Sequence, residues 1–146
     1  DINELEDIIK NLRLRFIQLH GSEDDEYVKI LKNLGVKVIK SISIKNKNDL
    51  NLIDKYKNVD YFLFDYKPLE GELPGGNSKS FDWSILKNLE TDKQWFLSGG
   101  INTNNIRQIL EDINPLGIDL SSGVEKELGI KDNDIINNFM DELNYA

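Results

Sequence analysis

Short apolar runs rich in β-branched residues alternate along the chain with longer segments in which apolar residues recur every three or four positions. The short runs predict strands, and the longer segments predict amphipathic helices. Five strands are predicted, at residues 14–19, 36–44, 61–65, 94–97 and 117–120. Since helical segments separate these strands and no hairpin sequence joins two of them, the pattern indicates an α/β fold with a parallel sheet built of right-handed βαβ units.

The segments between the strands carry helix boundary signals. Ser22 is a candidate N-cap for the helix after the first strand, the acidic run at 23–26 is expected to form its solvated start, and Gly35 ends it. An irregular loop at 66–80, rich in glycine and proline, follows the third strand and is typical of a functional lid. The other predicted helices lie at residues 5–12, 47–56, 82–89, 103–112 and 133–143.

The composition narrows the classes of partner. The chain has 146 residues and a formal net charge of −8. Such a surface repels nucleic acid, but a small phosphate can still bind through backbone N–H groups and a helix N-terminus. No apolar run approaches the roughly 18–20 residues that a membrane span needs, so we expect no membrane association.

Cysteine is absent from these residues. Its absence excludes disulfides, thiolate metal sites and a thiol catalyst within the chain, and it is compatible with a reducing compartment. We therefore expect a cytoplasmic protein. His20 is the single histidine, and a histidine without partners does not make a metal site. Either a structural role or a hydrogen-bonding role in a site is open to His20.

Polar residues collect at the C-terminal ends of the predicted strands, which is the edge where parallel α/β folds build their sites. Gln18 and His20 share one face of the first strand, because side chains alternate along a strand, and Asp119 and Ser121 share one face of the fifth. Asp65 closes an otherwise apolar third strand. Desolvation favours the protonated form of a carboxyl group, which suits a general acid; a helix N-cap or a surface ion pair is the alternative reading of Asp65.

Two glycine turns follow the fourth and fifth strands. Gly99 and Gly100 can bring bare N–H groups close to an anion, and residues 121–125 can start a short helix with Gly123 in its opening turn. Either motif alone is more readily a plain tight turn than an anion site. Together, on consecutive strands and about 20 residues apart, they indicate a phosphate site. Asp82 and Trp83 are expected to cap and pack a helix.

The ordered motifs resemble those of the phosphoribosylanthranilate isomerase family. They are QLHG at 18–21, Asp65, Gly75-Gly76, Phe81-Asp82-Trp83, Ser98-Gly99-Gly100, DLSSGVE at 119–125 and Lys131-Asp132. Their order and spacing match along essentially the whole chain. QLHG and D-x-SSGVE in this order are fairly specific, whereas Gly-Gly alone is not.

The resemblance implies a fold and an activity. The family is a (β/α)₈ barrel of tryptophan biosynthesis that catalyses the Amadori rearrangement of N-(5′-phosphoribosyl)anthranilate, without a metal or an organic cofactor. By resemblance, the residue roles are Asp65 as the general acid that opens the ribose ring, Gly99, Gly100, Ser122 and Gly123 as the phosphate-binding residues, and Gln18, His20 and Asp119 as the lining of the substrate pocket.

The chain also departs from the family pattern. Its first strand corresponds to the fourth strand of the family, so we expect residues 1–146 to be a single incomplete barrel domain that lacks three strands. By resemblance, the general base is a cysteine in a Lys-Ile-Cys-Gly motif after the first family strand, and an arginine after the second meets the anthranilate carboxylate. We therefore expect the chain alone to be inactive, and to self-associate or to pair with the missing N-terminal segment.

Rival interpretations remain from two classes. Another phosphate-binding barrel, such as a ribulose-phosphate epimerase or the α-subunit type of tryptophan synthase, is the enzyme alternative. The epimerases need metal ligands that one histidine cannot supply. The alternative outside catalysis is a phosphate-binding remnant or a complementation fragment.

Overall fold

A five-stranded parallel sheet forms the centre of the fold. The computed structural model describes residues 2–67 and 80–144. The strands are β1 (Phe16–Leu19), β2 (Lys37–Ile44), β3 (Tyr61–Tyr66), β4 (Gln94–Leu97) and β5 (Gly117–Ile118), hydrogen-bonded in that order. Every neighbouring pair is parallel. The predicted α/β fold with five parallel strands is confirmed.

Helical segments connect the strands. The α-helices are α1 (Ile2–Leu12), α2 (Asp25–Asn33), α3 (Ile106–Asp112) and α4 (Asn133–Asn144), and shorter 3₁₀ segments cover Lys47–Lys55, Trp83–Leu86 and Ser122–Val124. The helices predicted at 47–56 and 82–89 are thus 3₁₀ helices. The first of these begins with a capping box, in which Asn46 accepts from the N–H of Asn48 and Asp49 accepts from the N–H groups of Lys45 and Asn46.

The start of α2 differs from the prediction. Asp24, and not Ser22, is the N-cap, because its carboxylate accepts a hydrogen bond of 2.9 Å from the N–H of Tyr27. The end of the helix agrees with the prediction. Gly35 has φ +86°, a left-handed conformation that glycine adopts without steric cost, and its N–H donates to the carbonyl of Lys32.

A short antiparallel ribbon was missed by the sequence reasoning, which found no hairpin. Strands β6 (Glu125–Glu127) and β7 (Ile130–Lys131) pair across a two-residue loop that contains Gly129 at φ +79°. Glycine at φ above zero is the conformation that such tight loops demand. Its two strands together contain only five residues, most of them charged, so they carry no apolar alternation that predicts a strand.

The parallel register divides the residues between two faces of the sheet. Partners aligned in neighbouring strands point to the same side. Gln18 aligns with Ile39, and Ser43 aligns with Asp65, so these four side chains lie on one face. The opposite face packs against the helices and holds the buried core, which includes Val28, Leu31, Val38, Ile42, Ile44, Phe62, Phe64, Leu97, Ile106 and Ile109.

The helices of the fold belong to this core packing. In residues 2–67 and 80–144, no helix combines the length and the apolar character that a crossing of a lipid bilayer requires. The helices are amphipathic instead. For example, α2 buries Val28 and Leu31 completely against the sheet, while Lys29 remains exposed.

Phe64→Ala is expected to lower the free energy of unfolding by about 3–5 kcal/mol. The ring is fully buried, with its centroid 6.0 Å from that of Phe62 and 5.5 Å from that of Trp95, so its removal leaves a cavity. Urea denaturation followed by circular dichroism measures the change. Phe16→Ala is the matched control, because the Phe16 side chain is 47% exposed on the opposite face. Equal losses in the two variants would contradict the assignment of the core to the helix-covered face.

Candidate active site at the carboxyl edge of the sheet

The ends of β3 and β4 touch at Asp65. A Cβ atom built on Gly99, which follows β4, would lie 3.1 Å from Oδ1 of Asp65 and 2.9 Å from the backbone nitrogen of Tyr66. The glycine therefore permits the turn after β4 to lie against the carboxyl group. This contact places the candidate general acid directly beside the candidate phosphate turn.

The environment of Asp65 narrows its possible roles. Its carboxylate is partly buried, and Oδ1 accepts a hydrogen bond of 2.8 Å from the N–H of Tyr66. Because β3 continues through Tyr66, Asp65 does not cap a helix, as one alternative reading had it. By register, the Asp65 side chain lies on the open face of the sheet, which it shares with Gln18.

Asp119 completes a group of three titratable side chains. Burial raises the pKa of the Asp119 carboxyl above its ordinary value, the negative charge of Asp65 raises that pKa further, and the charge of His20 lowers it. These electrostatic effects require the three side chains to lie near one another. Asp119 retains contact with solvent, which screens part of the effect. Sequence reasoning placed Asp119 in the pocket but did not identify its raised pKa; its position on the face shared with Asp65 was the available signal.

The turn after β4 has a backbone conformation that favours glycine. Gly99 and Gly100 have φ +91° and +68°, which L side chains rarely adopt. The carbonyl of Gly100 accepts from the side-chain amides of Asn102 at 3.2 Å and Asn105 at 2.9 Å. In the described ranges 2–67 and 80–144, no hydrogen bond uses the N–H groups of Gly99 or Gly100. Sequence reasoning missed both asparagines, and the signal was an N-x-x-N spacing that begins one residue after Gly-Gly.

The turn after β5 packs directly on the turn after β4. A Cβ built on Gly123 would overlap the carbonyl oxygen of Ile101 and would lie 3.2 Å from Cα of Asn102. Only glycine allows this approach of two backbones. The two glycine turns therefore form one continuous surface, as the phosphate-site interpretation requires, and the 3₁₀ helix Ser122–Val124 begins there.

The ribbon β6–β7 fastens the second turn. Nζ of Lys131 donates to the carbonyl of Ser121 at 2.8 Å and to its hydroxyl at 3.1 Å, and it pairs with Glu125 at 2.6 Å. The hydrogen bond from Lys131, followed by that from the N–H of Gly129, lowers the pKa of Glu125. Sequence reasoning noted Lys131 only as part of a motif, and the structure gives it this role.

Other predicted residues have separate outcomes. Asp82 caps the 3₁₀ helix by accepting from the N–H of Ser84 at 3.0 Å, as predicted. Glu23 was expected to be part of a solvated helix start, but this was wrong because its carboxylate pairs with Lys40. Gly75 and Gly76, with most of the predicted lid loop, lie outside the described residues.

The titratable side chains described at this edge do not group as metal ligands do. Among the residues with described positions, no group of three or more histidine, cysteine, aspartate and glutamate side chains is placed to hold a metal ion. The chemistry available at the edge is therefore that of carboxyl groups, an imidazole, an amide and backbone N–H groups.

Asp119→Asn is expected to stabilise the fold at neutral pH. Because the folded-state pKa of Asp119 is raised, ionisation of this carboxyl disfavours folding, and the penalty develops as pH rises from the ordinary pKa of about 3.9 through the folded value. The variant should therefore unfold at higher urea concentration than the parent at pH 7 and match it below about pH 3.5. Asp7→Asn, on an exposed site of α1, is the control. A variant that is less stable at pH 7 would contradict the raised pKa.

The chain is similar in sequence to known proteins of one family. A family model described as N-(5′-phosphoribosyl)anthranilate (PRA) isomerase matches residues 1–142. The curated N-(5′-phosphoribosyl)anthranilate isomerase of Brucella canis is 46% identical over 142 residues, which are 95% of this chain and 64% of the Brucella protein. The chain thus spans less than two thirds of the length of that relative.

Solved structures give the same family. Phosphoribosyl anthranilate isomerase from Thermus thermophilus superposes with a TM-score of 0.80 at 25% identity, over 98% of this chain and 67% of that one. A phosphoribosyl anthranilate isomerase in complex with reduced 1-(o-carboxyphenylamino)-1-deoxyribulose 5-phosphate gives a TM-score of 0.73 at 26% identity, over 99% and 66% of the two chains. The likeness to these barrel-type enzymes confirms the predicted fold class and the motif resemblance. The chain belongs to the N-(5′-phosphoribosyl)anthranilate isomerase family.

Proposed function

We propose that the protein acts in tryptophan biosynthesis as an N-(5′-phosphoribosyl)anthranilate isomerase, which forms 1-(2-carboxyphenylamino)-1-deoxyribulose 5-phosphate. The observation that carries the proposal is the contact between the Asp65 carboxyl and Gly99, because it brings a proton donor to the edge of an anion-binding surface. Family membership and the relative solved with a reduced product analogue support this assignment.

The rearrangement needs an acid and a base on the sugar. Protonation of the ribose ring oxygen opens the ring to a Schiff base, and loss of the proton on C2 then gives an enolamine that tautomerises to the ketone. In the proposal Asp65 gives the proton to the ring oxygen. Asp119, Gln18 and His20 line the pocket on the same open face, and burial raises the pKa of the Asp119 carboxyl.

The substrate phosphate binds at the two glycine turns in this proposal. The residues are Gly99, Gly100, Ser122 and Gly123. Backbone N–H groups must supply the positive field, because the chain carries a net charge of −8 and the neighbouring side chains Asp65 and Asp119 are acidic. The side-chain amides of Asn102 and Asn105 donate to the carbonyl oxygen of Gly100. In the proposal these hydrogen bonds keep that oxygen from repelling the phosphate.

The proposal includes an incomplete barrel. The residues 1–146 are treated as one incomplete barrel domain without the first three family strands. Within the described ranges, β1 and β5 each have one strand neighbour, so two sheet edges are available for pairing with a further segment or with a second copy of the chain. The 146 residues contain no cysteine, so a general base of that kind must come from elsewhere. The chain by itself is therefore proposed to be inactive.

A mixing experiment tests the function. The chain is combined with the segment of the Brucella canis isomerase that it does not cover, and the rearrangement is followed by loss of substrate fluorescence. Activity is expected in the mixture and in neither part alone. Asp65→Asn should lower kcat about 100- to 10,000-fold, because an amide cannot donate the carboxyl proton. Asp141→Asn, on the exposed side of α4, is the control.

The outcomes separate the two candidate functions. Full activity in the Asp65→Asn mixture would overturn the role of Asp65. An inactive mixture in which the chain still binds inorganic phosphate would favour the alternative, a non-catalytic phosphate-binding remnant. The observation behind that alternative is the absence of cysteine from the chain.

Gly123→Ala is expected to weaken phosphate binding. The added Cβ overlaps the carbonyl oxygen of Ile101, so the two glycine turns must separate and the N–H groups lose their common focus. Loss of one hydrogen bond to a charged group costs about 1.5–3 kcal/mol, so the dissociation constant for inorganic phosphate should rise at least about tenfold in calorimetric titration. Gly35→Ala is the control, because the backbone strain that a Cβ causes there at φ +86° falls just before β2 and not at the two glycine turns. Unchanged binding by Gly123→Ala would remove this turn from the site.

A further inference from the structure

Lys40 carries a charge into the helix-covered side of the sheet. Its side chain is 2% exposed, and Lys40 and Ser41 are the buried polar or charged residues among those described. Nζ donates to the carbonyl of Gly21 at 2.6 Å and to Oε2 of Glu23 at 3.0 Å, and it lies 5.4 Å from the centroid of the Tyr56 ring. Both hydrogen-bond acceptors belong to the turn that follows β1.

Stability alone does not explain a buried ammonium at this position. Removing a charge from water costs several kcal/mol, and a buried ion pair is often no more stable than well-packed apolar side chains of similar volume. The neighbours of Lys40 on its face of β2, Val38 and Ile42, are buried apolar residues that a methionine would suit. A buried ion pair in such a place instead fixes the geometry of the groups that it binds.

The groups that Lys40 binds are the backbone of the turn next to His20. The N–H of Gly21 donates to Oε2 of Glu23 at 3.1 Å, and its carbonyl accepts from Lys40, so both backbone groups of Gly21 are held. The hydroxyl of Tyr56 donates to the carbonyl of Glu23 at 3.0 Å. A Cβ on Gly21 would lie 2.9 Å from Oε1 of Glu23, so the glycine permits the carboxylate to fold back onto the turn.

The charge state of Glu23 is consistent with a permanent ion pair. Burial acts to raise the pKa of Glu23, but hydrogen bonds from Lys40 and from backbone N–H groups, together with the Lys40 charge, lower it overall. The carboxylate is therefore ionised at neutral pH. The turn is held by charge-assisted hydrogen bonds, which are stronger than neutral ones.

The strand that precedes this turn has few other constraints. β1 has four residues and, within the described chain, pairs only with β2. Gln18 and His20 are exposed on the open face, so packing does not fix their side chains. Their placement relative to Asp65 depends on the backbone at the end of β1, and that backbone ends in the turn that Lys40 holds.

We propose that Lys40, through Glu23, is a positioning residue that fixes the turn after β1 and so sets the placement of Gln18 and His20 in the substrate pocket. Lys40 lies on the helix-covered face and His20 on the open one, so the ammonium acts through the Gly21 peptide and does not touch substrate. The assignment of a substrate role to Gln18 and His20 rests on the proposed function, whereas the effect of Lys40 on His20 does not.

His20 provides a direct readout, because it is the single histidine in the chain. In a protein labelled with ¹³C-histidine, one imidazole Cε1–H signal reports the environment of the turn. Lys40→Met is expected to displace and broaden that signal, because the Gly21 carbonyl loses its partner. Glu23→Ala should displace the signal as well, and Glu23→Gln, which keeps an oxygen acceptor for Lys40, should return it toward the parent position.

Two features keep this test decisive. Glu23 is on the surface side of the pair, with 29% of its side chain exposed, so its variants remain informative if Lys40→Met does not fold. Lys29→Met is the matched control, because Lys29 forms an exposed ion pair of 2.5 Å with Glu26 on α2 and contacts no part of the turn. Thermal unfolding of each variant checks that the fold is retained. An unchanged His20 signal in folded Glu23→Ala would overturn the proposal.

An activity arm separates this proposal from the proposed function. In the mixture with the Brucella canis segment, Glu23→Ala should lower kcat/KM by on the order of 100-fold, because a displacement of about 1 Å at a positioning group has that effect, and Glu23→Gln should recover much of the loss. If the His20 signal moves but no mixture is ever active, the proposed function fails and the positioning role stands. If the mixture is active and Glu23→Ala changes neither signal nor rate, the positioning role fails alone.

Discussion

Two backbone hydrogen bonds just beyond the regular strands align the strand ends that carry the candidate site. The N–H of Ser98 donates to the carbonyl of Phe64 at 2.8 Å, and the N–H of Asp119 donates to the carbonyl of Leu97 at 2.8 Å. Each bond extends the parallel ladder by one residue, so the polar ends of three neighbouring strands finish side by side. The contact between Asp65 and the turn after β4, and the electrostatic influence of Asp65 on Asp119, follow from this alignment.

The same alignment brings two carboxyl groups next to the proposed anion site. Burial raises the pKa of the Asp119 carboxyl, and the negative charge of the nearby Asp65 raises it further. The glycine turns lie beside these carboxyl groups and contribute N–H groups with no added charge. Because the pKa of Asp119 is raised, ionisation of this carboxyl at neutral pH disfavours folding.

The strands of the sheet are well predicted because each one is specified by the residues of its own short run. The runs before Asp65 and before Ser98 are apolar nearly throughout, and a strand covered by helices needs such a run. The 3₁₀ geometry at Lys47–Lys55 was not predicted, because the spacing of apolar residues there does not distinguish a 3₁₀ helix from an α-helix. The role of Lys40 was not predictable at all, because its partners lie 17 and 19 positions earlier and meet it only after β1 and β2 have paired.

A common construction supports the turns at the two ends of the described sheet. After β1, Lys40 binds the carbonyl of Gly21 and the carboxylate of Glu23; after β5, Lys131 binds the carbonyl of Ser121 and the carboxylate of Glu125. In each case a lysine from a different strand donates to a backbone oxygen of the turn and is neutralised by a glutamate, which is Glu23 within the first turn and Glu125 at the start of β6. The difference is in burial, since the Lys131 side chain is 45% exposed and that of Lys40 is 2% exposed. Because solvent weakens the ion pair of Lys131, the pairing of β6 with β7 must also stabilise the turn after β5. The turn beside His20 depends instead on the buried ion pair of Lys40 and Glu23.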